Sequence, residues 1–315
     1  MLEHARHILL GAGGAISAGL TRTLIGQGRS VRLVSRRGYT LPGAESVRAD
    51  LLDAAVTAAA VEPNAIVHLV AGLPYRSDTW AEQWPKVMRN TVEACAMRGA
   101  CLIFFDNVYM YGRARGPMTE DTPVNPCSRK GEVRARVAEY LLEATRAGRL
   151  KACIARSADF YGPDAGGNSV PNLLVFTPLA AGKRPAWLGN PDLPHSFTYT
   201  PDCARALALL AAADDVWGQV WHLPTASPAL TGREFVAHAA KQFGVPASFT
   251  ALQPWMVWIA GLFDRTRMEA VEMMYQSTTP YRFDSTKFER HFGFTPTPYS
   301  QGIVETSAFY RGAAR

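Results

Sequence analysis

Short apolar runs alternate with segments of helical length through the first half of the chain. The runs lie at residues 7–13, 31–37, 46–51, 65–72, 101–112 and 151–162. Strands that are apolar at almost every position are buried on both faces, as in a parallel sheet covered by helices. The alternation therefore predicts βαβ units and a Rossmann-type, doubly wound parallel α/β sheet.

The pattern changes after residue 162. Prolines and glycines are frequent at 163–194, a helix is predicted at 204–213, and a last strand is predicted at 219–224. Helical segments with proline-marked turns follow. We therefore expect a Rossmann domain at 1–165, to which 196–225 return, and a smaller, partly interleaved region formed by 166–195 and 226–315.

Composition narrows the classes of partner. The net charge of +6 is spread along 315 residues without a basic block, which argues against nucleic acid. The five cysteines show no Cys/His metal spacing, so no metal site is predicted and the thiols are expected to be reduced. No apolar run reaches the ~18 residues of a membrane span. The runs at 204–213 and 255–263 are predicted to be core helices, and the protein is expected in the cytoplasm without a membrane partner.

A glycine-rich loop follows the first strand. Because it lies between a predicted strand and a predicted helix, it fits a dinucleotide-binding turn much better than isolated glycines would. Gly11 permits a tight turn, Gly14 allows close approach of a pyrophosphate, and the helix amino end offers unpaired N–H groups. Ser17 occupies the third small position. The predicted cofactor contacts here are Gly11, Gly13, Gly14, Ala15 and Ile16.

The end of the second strand carries a serine and two arginines. An NAD site usually has a carboxylate here for the ribose 2′-hydroxyl, whereas an NADP site favours arginine for the 2′-phosphate. Ser35, Arg36 and Arg37 therefore predict NADP(H). At the end of the third strand, Asp50 and Leu51 are placed to contact the adenine.

Five segments, in this order, resemble the extended and atypical short-chain dehydrogenases/reductases, the NAD(P)-dependent epimerase/dehydratase group. They are 11–17, 68–71, 107–112, 156–163 and 197–204, and the resemblance covers most of the chain. The resemblance implies a nicotinamide cofactor, a position beside it for Val70 and Ala71, and a substrate cleft against the C-terminal region. The sequence departs from the family pattern at Ser17 and at Asp159, where asparagine is usual.

The catalytic residues of the family carry over incompletely. The serine or threonine that binds the reacting carbonyl falls at Asn107, which can still donate a hydrogen bond. For the Tyr-x-x-x-Lys pair, alignment on Pro126 places Cys127 at the tyrosine position and Gly131 at the lysine position. If Lys130 is taken as the lysine, Pro126 falls at the tyrosine position. Alignment on Glu139 places Gly131 at the tyrosine position and Ala135 at the lysine position. No register supplies the tyrosine.

A different proton donor is therefore needed if the protein is an enzyme. Tyr109, at the end of the fifth strand, is the first candidate, and Lys130 either contacts the nicotinamide ribose or replaces the missing tyrosine. With Asn107 they form the predicted catalytic set. The predicted substrate contacts are Tyr75, Phe160, Tyr161 and His195.

The sequence is compatible with two functions. The first is an NADP-dependent oxidoreductase or epimerase-like enzyme that acts on a small carbonyl or hydroxyl compound with a non-standard proton donor. The alternative is a non-catalytic NADP(H)-binding sensor or regulatory protein, which the missing tyrosine favours. The partner is a small molecule in both cases, and the sequence leaves a homodimer open.

Overall fold

The computed structural model describes residues 5–262 and 264–313. The chain divides into two compact units. The first unit comprises Met1–Met110, Arg129–Arg156 and Cys203–His222, and the second comprises Tyr111–Ser128, Ser157–Asp202 and Leu223–Arg315. The assignment of a nucleotide-binding domain and a substrate-binding region to particular ranges stays a prediction.

The helices and strands alternate through the first half of the chain. In chain order they are β1 His7–Leu10, α1 Ala15–Gly26, β2 Val31–Ser35, β3 Glu45–Arg48, α2 Ala54–Ala60, β4 Ile66–Leu69, α3 Ser77–Arg98, β5 Cys101–Asp106, α4 Arg129–Arg146, β6 Ala152–Arg156, β7 Asp159–Tyr161, α5 Thr177–Ala180, β8 Ala186–Leu188, β9 Phe197–Tyr199, α6 Thr200–Ala212, β10 Val220–His222, α7 Gly232–Phe243, β11 Thr250–Leu252, α8 Pro254–Gly261, α9 Arg265–Val271, α10 Tyr275–Thr278, α11 Thr286–Phe292 and α12 Tyr299–Ala313.

The first unit contains a seven-stranded sheet in the order β10-β6-β5-β4-β1-β2-β3, with all strands parallel. This confirms the predicted doubly wound α/β fold. The strand order reverses direction between β1 and β4, and ligands of such sheets bind outside the carboxyl ends of the strands at that point. The residues that follow β1 and β4 therefore mark the expected ligand site of this unit.

Some predicted strands were too long. The apolar run at 101–112 forms a strand only as far as Asp106, because the Asp106 and Asn107 side chains accept backbone N–H groups and turn the chain. The run at 151–162 forms two strands, β6 and β7, and the run at 46–51 contributes only part of β3. Apolar character alone does not show where polar side chains end a strand.

The second unit has an aromatic core and two small parallel strand pairs, β7 with β9 and β8 with β11. Its buried side chains include Tyr161, Phe176, Phe197, Tyr199, Phe235 and Tyr299. The run at 255–263 was predicted to be a core helix, and that prediction was wrong for the described residues. Four apolar side chains of this run, at 255, 258, 259 and 262, are exposed, and residue 263 lies outside the described residues.

A pair of histidines is buried in two neighbouring strands: His7 begins β1, and His68 lies within β4. The rings of His7 and His68 stack with centroids 5.4 Å apart, and His7 Nδ1 lies 3.1 Å from His68 Nε2. Burial, with a smaller effect of Arg29, lowers the pKa of His7 from 6.5 to about 4, and burial lowers the pKa of His68 well below 6.5. Both rings are therefore neutral in the folded protein near pH 7.

This pair predicts a loss of stability in mild acid. In the unfolded chain the two histidines bind protons near pH 6.5, whereas folded His7 does so only near pH 4, so stability falls as pH decreases from about 6.5 towards 4. His7 alone accounts for about 3 kcal/mol over this window. Urea unfolding at several pH values measures the slope. This dependence of the unfolding free energy on pH should be much weaker in a His7→Leu/His68→Leu variant and unchanged in a His238→Gln variant. Equal slopes in the wild type and both variants would contradict the assignment.

Candidate functional site

The glycine-rich loop brings the ends of β1 and β4 into contact. Gly11 has φ +86°, in the left-handed region, and a Cβ atom built on it would lie 2.3 Å from the Ala71 Cα. Only glycine satisfies both the backbone conformation and the close approach. Gly11 and Ala71, both predicted cofactor contacts, are therefore neighbours at the carboxyl edge of the sheet.

Ser17 fixes the shape of the loop. Its Oγ accepts the N–H groups of Gly13 and Gly14, at 3.0 and 3.1 Å, and donates to the Gly14 carbonyl at 2.8 Å. The amides of Ala15 and Ile16 follow in the first turn of α1, where N–H groups have no partner within the helix. These two amides and the positive end of the helix dipole form a site suited to an anion.

Three arginines surround the turn after β2. Arg36 and Arg37 are exposed, and neither has a hydrogen-bond or ion-pair partner among the residues that the structure describes. Arg48 lies in β3 opposite Ser35, and its Nε would be 2.8 Å from a Cβ atom on Gly38. The Ser35 Oγ accepts the Tyr39 N–H at 2.8 Å, so this serine holds the turn in place.

The remaining predicted cofactor contacts lie at the ends of their strands. Asp50 is exposed and its Oδ1 accepts the Leu52 N–H at 3.1 Å, whereas the Leu51 side chain is buried in the core of the unit. Val70 is half-buried and donates its N–H to the Leu10 carbonyl at 3.0 Å. Their contact with a cofactor stays a prediction.

Lys130 is a fully buried lysine at the second position of α4. Its Nζ donates to Ser77 Oγ at 3.1 Å and lies 4.5 Å from the centroid of the Tyr75 ring. A buried ammonium requires such partners, because an unpaired charge in the interior is very unfavourable. The helix thus directs the lysine towards Tyr75, which belongs to the loop after β4.

Two tyrosine hydroxyls meet beside this lysine. The Tyr75 and Tyr109 oxygens are 3.5 Å apart, and both rings are half-buried. The Tyr109 ring stacks on Trp80 with an interplanar angle of 15°, and Tyr75 contacts Trp80 edge-on. Lys130, Tyr75 and Tyr109 form one connected group, which we call the Lys-Tyr-Tyr cluster.

Asn107 and Asp106 have different roles at the end of β5. The Asn107 Oδ1 accepts the Tyr109 N–H at 3.1 Å, which orients its amide and leaves the NH₂ group as a donor. Asp106 is buried and bound by Arg134, at 2.7 Å from Nε, and by Arg156, at 3.5 Å. Because this carboxylate neutralises buried arginines, its role is structural.

The predicted substrate residues of the second unit lie in different environments. Phe160 is half-buried in β7. His195 stacks between Phe197 and Tyr281, and its Nε2 lies 3.0 Å from Asp159 Oδ2. Their substrate contacts stay predictions.

Tyr161 is fully buried among other aromatic side chains of the second unit. Burial, and then the neighbouring hydroxyls of Tyr299 and Tyr199, raises the pKa of Tyr161 well above its usual value of 10. The phenol therefore stays protonated at neutral pH. Its contact with substrate stays a prediction.

Cys127, which stands at the tyrosine position when the sequence is aligned on Pro126, is exposed before α4. The preceding segment passes close to Gly112, where a Cβ atom would lie 2.1 Å from the Asn125 carbonyl oxygen. With φ +59°, Gly112 is required for this passage. This accounts for the glycine of the Tyr-Gly pair at the end of 107–112.

Sequence reasoning missed two residues. Ser77 binds Lys130 but carries no signal beyond its place at the start of a helix. Arg48 lies near the other two arginines only because β3 pairs with β2, a pairing that could have been inferred from the parallel order of the strands.

Across the described residues, 5–262 and 264–313, no cluster of metal-ligating side chains occurs. The helices of the same ranges include none long and apolar enough to cross a membrane.

Comparison with known families agrees with this geometry. The sequence matches the NAD dependent epimerase/dehydratase family over residues 7–222. The chain belongs to this family. Membership confirms the resemblance seen in the sequence and makes the protein an enzyme of the short-chain dehydrogenase/reductase type that uses a nicotinamide cofactor.

Solved structures share the fold over nearly the whole chain. The dTDP-glucose 4,6-dehydratase DesIV of Streptomyces venezuelae, solved with NAD, is 20% identical, with 97% of each chain covered and a TM-score of 0.79. The UDP-glucose 4-epimerase of Thermus thermophilus, also with NAD, is 18% identical, with 98% of this chain and 99% of the other covered and a TM-score of 0.79. MoeE5, with UDP-glucose and NAD, is 22% identical, with 99% and 100% covered and a TM-score of 0.81. The search of curated proteins found no match.

Proposed function

We propose that the protein is an NADP-dependent oxidoreductase or epimerase-like enzyme that acts on a small carbonyl or hydroxyl compound. The observation that carries the proposal is the Lys-Tyr-Tyr cluster, in which a buried ammonium packs on one tyrosine whose hydroxyl meets another. The cluster supplies a proton donor in a chain without the usual tyrosine. It belongs to the same unit as the glycine-rich loop.

The residues of the first unit fit a dinucleotide. The close approach of Gly11 to Ala71 and the Ala15 and Ile16 amides in the first turn of α1 suit a pyrophosphate at the carboxyl edge of the sheet. When bound, the nicotinamide supplies or accepts a hydride. We assign the adenine to Asp50 and Leu51, as the sequence predicts.

The turn after β2 favours NADP over NAD. It offers the exposed guanidinium groups of Arg36 and Arg37, with Arg48 beside Gly38. A 2′-phosphate satisfies such donors by charge-assisted hydrogen bonds, whereas a 2′-hydroxyl does not need them. The solved relatives above hold NAD, so the choice of NADP rests on these arginines.

The proton chemistry is assigned to side chains around Asn107. Its NH₂ group donates a hydrogen bond to the carbonyl oxygen of the substrate and stabilises the negative charge that develops there. Tyr109 gives its proton to the resulting alkoxide and takes one from Tyr75, 3.5 Å away, and solvent then returns a proton to Tyr75. Lys130 stabilises the phenolate charge across its contact with Tyr75. Oxidation of an alcohol uses the same groups in reverse.

The alternative is a sensor that binds NADP(H) without turnover. The missing tyrosine favours this alternative; in the alignment on Pro126 its position is taken by Cys127, which is exposed. A sensor would not need the Lys-Tyr-Tyr cluster beside a polarising amide. For this reason we prefer the enzyme.

A panel of substrates distinguishes the two functions. NADPH oxidation should be followed with ketones and aldehydes, and NADP⁺ reduction with the matching alcohols. UDP-glucose and dTDP-glucose should be analysed by NMR for epimerised or dehydrated products, because such reactions return the hydride and leave the cofactor unchanged overall. The enzyme predicts turnover with at least one class of compound. Tight NADPH binding, shown by calorimetry, with no cofactor oxidation or reduction and no sugar product across the whole panel would favour the sensor.

A further inference from the structure

The surface of α8 carries an apolar stripe that the proposed function does not use. Trp255, Trp258, Ile259 and Leu262 are 62%, 49%, 44% and 56% exposed, respectively. Their spacing of i, i+3, i+4 and i+7 places them on one face of a helix. We call these four side chains the α8 stripe.

α8 contacts α9 of its own unit at Gly261. Gly261 is buried, and a Cβ atom on it would lie 3.0 Å from the Met268 backbone in α9. The other residues of α8 are half-buried, so the stripe is the most exposed part of the helix. A stripe of two tryptophans and two large aliphatic residues in water is unfavourable unless something covers it.

We propose that the α8 stripe docks the protein on the surface of a lipid bilayer. The four side chains expose together on the order of 400–500 Å². A stable protein–protein interface buries about 800 Å² on each partner, so the stripe alone is too small for a permanent dimer. Shallow insertion of a few large side chains needs no larger area.

The residue types fit the same surface. Apart from the two indole N–H groups, the side chains of residues 254–263, which span α8, are apolar in the sequence, so insertion would remove few polar groups from water. Tryptophan is enriched where a bilayer meets water, since its ring is apolar and its N–H is polar. The net charge of +6 favours approach to an anionic leaflet.

This docking differs from membrane crossing. The described helices include none that could span a bilayer, and the sequence prediction of no membrane partner rested on the absence of an 18-residue apolar run. The criterion of an 18-residue apolar run does not detect a surface stripe that spans only eight positions.

Flotation with vesicles tests the proposal on the full chain. The wild type, a Trp255→Ser/Trp258→Ser variant and a Met97→Ser control should be mixed with vesicles of phosphatidylcholine alone and of phosphatidylcholine with one quarter phosphatidylglycerol. Met97 is 67% exposed in α3, in the other unit, so its loss removes apolar surface outside the stripe. Circular dichroism verifies that each variant is folded.

The wild type and the control should float with vesicles, more strongly with phosphatidylglycerol, and the double variant should bind at least about tenfold more weakly. Absence of binding by the wild type, or equal binding by the double variant, would overturn the proposal. Sedimentation velocity without lipid adds a third outcome. A wild-type dimer that becomes a monomer in the double variant would assign the stripe to a second copy of the chain and would also overturn it.

Discussion

Lys130→Met should lower kcat by roughly 100-fold or more, the range expected when a group that assists proton transfer is lost. The buried ammonium lies 4.5 Å from the Tyr75 ring and binds Ser77 Oγ at 3.1 Å. Methionine keeps most of the volume but cannot stabilise a phenolate on the Tyr75–Tyr109 pair. NADPH affinity should change by only a few-fold, since the phosphate and 2′-phosphate contacts are assigned elsewhere. Steady-state kinetics and calorimetry measure the two effects separately.

Matched variants make this test specific. Lys151→Met removes an exposed lysine of the same unit and should leave kcat unchanged. Tyr109→Phe should reduce kcat about as much as Lys130→Met, and Tyr75→Phe should reduce it less, because solvent can replace Tyr75 as a proton source. Thermal unfolding shows whether loss of the ammonium that binds Ser77 affects the fold. Full activity in both Lys130→Met and Tyr109→Phe would remove these residues from the mechanism.

Arg36→Ala/Arg37→Ala should weaken NADPH binding by about 100-fold or more, because each guanidinium is proposed to donate a hydrogen bond to the charged 2′-phosphate. NADH binding should hardly change, since it has no 2′-phosphate. Arg48→Ala should have a smaller effect in the same direction, because Arg48 reaches the turn from the adjacent strand. Calorimetric titration with both cofactors measures the ratio of affinities.

The control for the cofactor test is an arginine outside the turn. Arg146→Ala, on the exposed part of α4 where Arg146 pairs with Glu139, should leave the affinities for NADPH and NADH unchanged. Equal affinity of the wild type for the two cofactors would contradict the choice of NADP. That result would not contradict the dinucleotide site itself, because the site is inferred from Gly11 and the first turn of α1.

The fold could be predicted because the strands of a buried parallel sheet are apolar at nearly every position. Ile8, Leu9 and Leu10 show no exposure, and the seven parallel strands fall within the predicted runs or overlap them. The ends of the strands could not be predicted from the same pattern. Asp106 and Asn107 end β5 through side-chain hydrogen bonds to backbone N–H groups, and such bonds depend on local geometry.

The candidate site was only partly predictable. Tyr75, Tyr109 and Lys130 were each named from the sequence, but in separate roles. Their association depends on the side chain of Lys130 turning from α4 towards the loop after β4, which no sequence spacing shows. Similarly, the sequence shows two arginines directly after β2. The position of Arg48 beside this turn follows only from the pairing of β3 with β2.

The α8 stripe shows a different limit of sequence reasoning. Periodicity locates the exposed face of a helix by its polar residues, and residues 254–263 have none. A helix that is apolar all round is ordinarily buried, which is why a core helix was expected. Burial of Gly261 against α9 and exposure of Trp255 could be learned only from the structure.

A crystal structure of the protein with bound NADP⁺ tests the central claim most directly. The proposal predicts the 2′-phosphate on Arg36 and Arg37, the pyrophosphate at the amides of Ala15 and Ile16, and the Tyr109 hydroxyl within about 4 Å of the nicotinamide C4 or of a substrate oxygen beside it. A nicotinamide ring that lies away from both Tyr109 and Lys130, with another side chain over C4, would contradict the assignment of proton transfer to the Lys-Tyr-Tyr cluster.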